Sequence, residues 1–312
     1  MRLRLLLPLL LATAGADAAP AVGRTLRAGD TELHVVVDAS SQQRAEQLHR
    51  WMAEVANASL TAFGRFPLDR AEVRVREIRS SDASPVPWGQ TSRRDDVAVL
   101  LYVRDDASLE QLRSDWTAVH ELAHLFHPYL GRRGRWLAEG LASYYQNVLR
   151  ARAGLLGEEQ AWQRLDAGFG RGRGATTGVR LDELGRRGTM RVYWTGAAYW
   201  LEADLALRAR GSDLDSVLAR YAACCLRAGD TREPAAFIAE LDRIADGGVF
   251  GDRYRRYAAS LEFPSLDAAY RQLGISVGDA GLRFSPQPDA ARLRQAVMGR
   301  RPVPSVARHE AR

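Results

Sequence analysis

The spacing of three side chains constrains the fold of this chain more than any other feature of its sequence. His120 and His124 stand four residues apart in the segment His-Glu-Leu-Ala-His, and Glu139 follows fifteen residues after the second histidine. On an α-helix, residues at i and i+4 lie on the same face, one turn apart. A second helix must therefore pack beside the first if the glutamate is to reach the two histidines.

The segment between these two helices is short and rich in turn residues. The sequence predicts helices near 108–129 and 135–150, joined through Gly131-Arg132-Arg133-Gly134. If the chain reverses in this turn, the second helix runs back along the first. Glu139 then lies level with His124, so the three side chains converge.

These residue types suit a catalytic metal site. Zinc in hydrolases is usually held by three protein side chains, which leave a fourth position for water. His120, His124 and Glu139 supply that number, so we expect one Zn²⁺ per chain. Glu121 is next to a ligand without being one, and suits a general base that takes a proton from the metal-bound water. The pattern predicts a hydrolase that acts on a peptide or protein substrate.

The rest of the sequence predicts a small sheet followed by many helices. A helix from about 41 to 63 follows the first predicted strand, and residues 80–94 form a loop or an irregular sheet edge. From residue 108 onward the pattern is almost wholly helical. Strands followed by helices indicate the α+β class. The predicted strands are 31–38, 72–78 and 97–103.

The predicted organisation has four parts. Residues 1–18 resemble a secretory signal, with two arginines, an apolar stretch and a small-residue cleavage site that ends at Ala18. We therefore expect an exported protein, periplasmic or secreted. A β-rich subdomain is predicted over 19–107, a helical catalytic domain with the metal site over 108–298, and a disordered tail over 299–312.

Composition narrows the class of partner. The formal charge is +6, but the arginines are spread along the chain and are not striped with aromatic residues, so a nucleic-acid partner is not expected. A membrane span is not expected either, because Pro8 interrupts an apolar stretch that is too short. Cys224 and Cys225 are adjacent, and we expect a small buried pair without a disulfide.

The metal motif and its neighbours resemble the gluzincin clan of zinc metallopeptidases, particularly its peptidase MA-like and glycyl-aminopeptidase-like families. The resemblance includes His-Glu-Leu-Ala-His, the run Trp-Leu-Ala-Glu-Gly-Leu-Ala-Ser-Tyr-Tyr that contains Glu139, and the upstream Phe-Gly-Arg-Phe-Pro at 63–67. It implies a thermolysin-like or gluzincin-like fold, with a mixed N-terminal sheet, a helical lobe and zinc between them. It also implies that Tyr193, in Tyr-Trp-Thr-Gly, stabilises the oxyanion of the reaction.

One departure from the family leaves alternatives open. Ser84–Thr91 lacks the acidic residue that holds the free amine of substrates in aminopeptidases. An endopeptidase and an aminopeptidase therefore both remain possible, as does a peptide-binding or protein-binding protein with the gluzincin fold and little or no activity. His127 is expected to be a partly exposed residue at a helix end, with contact to the substrate or support of the site as the alternatives.

Overall fold

The computed structural model describes residues 21–93, 97–185, 188–278, 281–302 and 307–310. The predicted signal segment, 1–18, lies outside the described residues. No helix in the described part of the chain combines the length and the apolar character needed to cross a membrane.

A six-stranded mixed sheet forms the N-terminal part of the fold. Its strand order is β4-β5-β3-β2-β1-β8, where β2, β3 and β5 are parallel and the other pairs are antiparallel. The two remaining strands, β6 and β7, pair with each other as a separate hairpin. The strands are β1 (Val22–Ala28), β2 (Thr31–Asp38), β3 (Arg70–Ile78), β4 (Trp88–Arg93), β5 (Val97–Arg104), β6 (Ile275–Gly278), β7 (Gly281–Phe284) and β8 (Ala307–Glu310).

Alternating apolar residues explain why the central strands form. Every second residue of β2 and β5 is buried, which matches the period of two along a strand. Helix α1 (Gln42–Leu60) connects β2 to β3 and begins at Ser41, whose hydroxyl accepts the backbone N–H of Arg44. The three predicted strands and the helix between the first two are confirmed.

Ten further helices build the C-terminal part of the chain as far as the structure describes it. The segment predicted as one helix over 108–129 is instead two helices and a 3₁₀ turn at His124–Phe126, so that prediction is wrong. Asp115 has an extended backbone, and its carboxylate accepts the N–H of Thr117, which starts a new helix. The helices are α2 (Leu109–Ser114), α3 (Thr117–Ala123), α4 (Arg135–Arg152), α5 (Glu158–Gly174), α6 (Thr189–Arg208), α7 (Leu214–Cys224), α8 (Pro234–Ile244), α9 (Gly251–Ala258), α10 (Asp267–Leu273) and α11 (Pro288–Met298).

Helices α4 and α6 cross at a pair of glycines. A Cβ atom on Gly196 would lie 2.0 Å from the carbonyl oxygen of Trp136 and 2.7 Å from Cα of Gly140. The two backbones can be this close only because neither glycine has a side chain. Glu139 and Tyr193 lie one and three residues from the crossing point, so this contact sets their separation.

The tail predicted to be disordered over 299–312 lies partly outside the described residues. Where it is described, β8 pairs with β1, and the guanidinium of Arg301 binds Asp215 at 2.9 Å. Disorder in the rest of this segment stays a prediction. The prediction of a buried cysteine pair without a disulfide is wrong, because Cys224 is exposed, Cys225 is partly buried, and the two are joined by a disulfide at the end of α7.

Candidate metal centre

The structure brings the three predicted ligands together. His120 lies in the last turns of α3, His124 begins the 3₁₀ turn that follows, and Glu139 lies in the second turn of α4. Oε2 of Glu139 is 3.3 Å from Nε2 of His120 and 3.6 Å from Nε2 of His124. One nitrogen from each histidine and one carboxylate oxygen lie within 4.8 Å of one another. This is a donor set of the kind that zinc prefers.

The electrostatics of this cluster favour a bound cation. Burial would raise the pKa of Glu139, but hydrogen bonds from His120 and His124 hold that pKa well below its usual range. The glutamate is therefore an ionised carboxylate inside a site that is mostly shielded from water. Such a carboxylate stabilises positive charge strongly because the local dielectric constant is low.

His120 is oriented by a hydrogen bond from its second ring nitrogen. Nδ1 of His120 is 2.8 Å from Oε1 of Gln146, which lies two turns after Glu139 on α4. An amide oxygen accepts a hydrogen bond, so Nδ1 carries a proton, and Nε2, which faces Glu139, is the nitrogen that would bind a metal after losing its own proton. Helix α4 thus carries both Glu139 and the Gln146 side chain that orients His120.

His124 is oriented in the same way by His127. Nδ1 of His124 is 3.1 Å from Nε2 of His127, and Nδ1 of His127 is 2.7 Å from the carbonyl oxygen of Pro128. Burial, with the nearby charges of His124 and Arg93, lowers the pKa of His127 well below its usual value. His127 is therefore neutral; it donates to the carbonyl and accepts from Nδ1 of His124, so Nε2 of His124 is the nitrogen that faces Glu139.

The expectation of a partly exposed His127 is wrong. The side chain is only 3% exposed and belongs to the hydrogen-bonded support of the site. The reason lies in the backbone, which becomes extended at His127 because the next residue is a proline. The extended residue turns its imidazole back toward His124.

Arg93 also supports the site, although no motif in the sequence marks it for this role. Its guanidinium donates to the carbonyl oxygens of both His124 and His127, where the helical segment ends. A cation is favourable at such a helix C-terminus. Burial lowers the pKa of Arg93 to about 10, and the group remains protonated at neutral pH.

Glu121 lies between α3 and the edge strand β4. The hydroxyl of Thr91 is 3.0 Å from Oε2 of Glu121 and 2.8 Å from its backbone oxygen. Gly89 passes so close that a Cβ there would lie 2.8 Å from Cγ of Glu121. The edge strand thus fixes the carboxylate that sequence analysis selected as the general base.

Tyr193 lies against the ligands from helix α6. Its ring stacks on the imidazole of His120, with centroids 5.6 Å apart and an angle of 18° between the planes. The guanidinium of Arg135 is 5.7 Å from the centre of the same ring. Burial and the nearby carboxylate of Glu139 raise the pKa of Tyr193, so its hydroxyl keeps its proton and is a donor.

An open cleft of about 640 Å³ gives access to these groups. Its walls come from β4, from the turn between α3 and α4, and from the first turns of α4. Glu121, His124, Glu139 and Tyr193 all line it. A molecule in the cleft can therefore contact two of the three predicted ligands, the predicted base and the phenol at the same time.

Comparisons with known proteins point to one group of enzymes. A family model described as M61 glycyl aminopeptidase matches residues 126–179, a segment that contains Glu139 and begins after His124. No curated protein matches the chain in sequence. Among solved structures, an aminopeptidase N family protein from Idiomarina loihiensis is similar with a TM-score of 0.62 and 13% identity, covering 86% of this chain and 53% of that one.

A second solved structure has the same fold. A substituted two-domain M1 zinc metallopeptidase bound to L-arginine has a TM-score of 0.53 and 18% identity, covering 80% of this chain and 52% of that one. The chain spans about half the length of these relatives, and at such identities the likeness shows a shared fold. In its ligand motif, its matched segment and its fold, the chain is similar to gluzincin-like zinc metallopeptidases.

Proposed function

We propose that this chain is a zinc-dependent peptidase. The convergence of Nε2 of His120, Nε2 of His124 and Oε2 of Glu139 within 4.8 Å carries the proposal. The second nitrogen of each histidine is engaged by Gln146 or His127, so both free nitrogens point to the same place. Three such donors would hold one Zn²⁺ and leave a position for water.

Each of the other residues has its own proposed role in hydrolysis. Zinc, when bound, supplies a Lewis acid that activates water and polarises the scissile carbonyl. In the proposal, the carboxylate of Glu121 takes the proton of the attacking water and gives it to the leaving amine. The hydroxyl of Thr91 holds this carboxylate in place.

Tyr193 is proposed to stabilise the oxyanion that forms when water attacks. Its hydroxyl keeps its proton, and its ring lies against His120 beside the cleft. A neutral phenol next to the reacting carbonyl can donate a hydrogen bond that strengthens as negative charge develops. This role rests on the position of the ring and on the resemblance of Tyr-Trp-Thr-Gly to the family pattern.

Replacing Tyr193 by phenylalanine is expected to lower kcat by about 10² to 10³, because one donor to the oxyanion is lost. KM and zinc content are expected to stay close to those of the wild type, since the ring still packs on His120. Steady-state kinetics on a fluorogenic peptide, with metal analysis of the same sample, measures this. An unchanged kcat would remove Tyr193 from the mechanism.

The cleft favours cleavage that does not depend on a free amino terminus. Among the described residues that line it, the carboxylates are Glu121 and Glu139, and both are assigned to the reaction centre. The edge strand β4 contributes Gly89 to Arg93 and no acidic residue. We therefore propose a substrate that lies along the exposed edge of β4 as an added strand, as in other peptide-binding sheets.

Metal content and a pair of peptides test the proposal. The purified protein is expected to bind about one zinc per chain, to lose peptide cleavage when the metal is chelated, and to regain it when zinc is added back. An N-acetylated peptide is expected to be cut as well as its free-amine counterpart. Cleavage that survives complete removal of the metal would refute the zinc mechanism, and cleavage of the free peptide alone would establish an aminopeptidase.

A further inference from the structure

The charged side chains around the metal centre are mostly arginine. Arg93, Arg132 and Arg135 line the cleft, together with the two carboxylates of the reaction centre. A smaller cavity of about 440 Å³ adjoins it, and Tyr193 lines both. We call this second cavity the side pocket; it is lined by Trp116, Met190, Trp194, Arg164 and Arg171, among others.

The side pocket is open and lies directly against a metal ligand. The indole of Trp116 packs edge-on against His120 with centroids 5.3 Å apart, and Gln146, which holds the same histidine, also lines the pocket. Trp116 and Met190 are each about 40% exposed, which is unusual for large apolar side chains. A ligand group beside His120 would therefore meet apolar surface and arginine.

Several of these arginines lack an acidic partner. Within the part of the chain that the structure describes, no salt bridge involves Arg132, Arg164 or Arg171. Arg171 stacks on the ring of Trp194 at 4.8 Å, and Arg132 is exposed on the turn between α3 and α4. Their positive charge is therefore available to a bound molecule.

The two carboxylates of the site do not cancel this charge once a metal is present. Glu121 and Glu139 together carry two negative charges, which a Zn²⁺ ion offsets. The arginines then give both cavities a positive potential, and a cleft with low-dielectric walls concentrates such a potential. A free amine would be repelled from this environment, whereas a carboxylate would be attracted.

We propose that the enzyme selects peptides that carry a carboxylate close to the scissile bond, and that Arg132 is a specificity-determining residue for them. The proposal deepens the peptidase function and rests on it. Two sources of carboxylate fit the chemistry: an Asp or Glu side chain, and the free C-terminus of a short peptide. Arg132 is exposed where it lines the cleft, and it has no acidic partner among the described residues. Its guanidinium can therefore contact a carboxylate from either source.

The neighbouring Arg133 provides a matched control. Both arginines are exposed on the same Gly-Arg-Arg-Gly turn, but only Arg132 lines the cleft. The substrates are peptides of one sequence with Glu, Gln or Lys next to the scissile bond, each with a free or an amidated C-terminus. The measured quantity is the ratio of kcat/KM for the Glu peptide to that for the Gln peptide.

In the wild type, this ratio is expected to exceed one, and the Lys peptide is expected to be the poorest substrate. Arg132→Gln should lower the ratio about threefold and Arg132→Glu about tenfold, chiefly through KM, as expected for a partly exposed ion pair. Arg132→Lys should retain most of the preference for the Glu peptide, and Arg133→Gln should leave the ratio of the two kcat/KM values unchanged. Dependence on amidation would identify the C-terminus as the source of the carboxylate.

Equal kcat/KM values for the three peptides, or the same loss in Arg133→Gln as in Arg132→Gln, would overturn the proposal. Its failure is distinct from failure of the peptidase function, which would appear as no zinc-dependent cleavage of any peptide. In that case, equilibrium binding of the labelled Glu and Gln peptides to the zinc-loaded protein measures the preference directly. Equal dissociation constants would then refute carboxylate recognition, and a lower one for the Glu peptide would support it.

Discussion

Replacing Glu121 by glutamine is expected to lower kcat by about 10³ to 10⁴ while zinc stays bound. Glutamine has the size of glutamate and still offers an oxygen to the hydroxyl of Thr91, so the local structure should persist. It cannot take a proton from water, and general-base assistance of this kind contributes about 10² to 10⁴ in rate. Single-turnover kinetics, with zinc measured on the same protein, separates the chemical step from metal loss.

Glu159 offers a matched control for this experiment. It is an exposed glutamate in the first turn of α5 and lines neither the cleft nor the side pocket. The Glu159→Gln variant is therefore expected to have wild-type kinetics. If Glu121→Gln cleaves peptide at the wild-type rate with a full complement of zinc, Glu121 is not the base, and water must be activated in another way.

The convergence of the three predicted metal ligands could be expected from the sequence because their geometry is local. His120 and His124 are four residues apart in the sequence, so a single helical turn places them on the same face. Glu139 required one further step, the reversal at the Gly-Arg-Arg-Gly turn, where Gly131 has a left-handed φ of 63°. The structure brings these three side chains together as that reasoning expected.

The support of the site could not be predicted in the same way. Thr91 and Arg93 belong to β4, whose residues show no alternation of apolar and polar side chains. That strand exists because its backbone pairs with β5 along the edge of the sheet, from Trp88 opposite Tyr102 to Arg93 opposite Val97. Pairing between distant segments is a tertiary effect, which local propensity does not reveal.

The helix predicted over 108–129 is broken for a reason that the pattern of apolar residues does not show. Such a pattern continues through Leu122 and Leu125, which are both buried, so the sequence suggests one long helix. Hydrogen bonds decide otherwise, because the Asp115 carboxylate starts α3 and the residue before Pro128 cannot remain helical. His124 consequently lies in a 3₁₀ turn, and its imidazole still reaches Glu139.

Replacing Gly196 by alanine is expected to destabilise the protein by about 3 kcal/mol or more. The new Cβ would lie 2.0 Å from the carbonyl oxygen of Trp136, and 2.7 Å and 3.1 Å from Cα and N of Gly140. Rotation of a flexible side chain cannot relieve this contact, so α4 and α6 must move apart and lose packing across their whole interface. Urea denaturation followed by tryptophan fluorescence measures the change in the free energy of unfolding.

Gly170 on α5 separates this steric effect from the general effect of glycine in helices. It is exposed within its helix, and a Cβ there would meet no atom within 4 Å. Gly170→Ala is therefore expected to raise the free energy of unfolding by about 0.5 to 1 kcal/mol, since alanine favours the helix. Equal stability of Gly196→Ala and the wild type would show that the two helices do not depend on this contact. If Gly196→Ala remains folded at low temperature, the wider crossing is expected to move Glu139 away from Tyr193 and weaken zinc binding, which a chelator competition would detect.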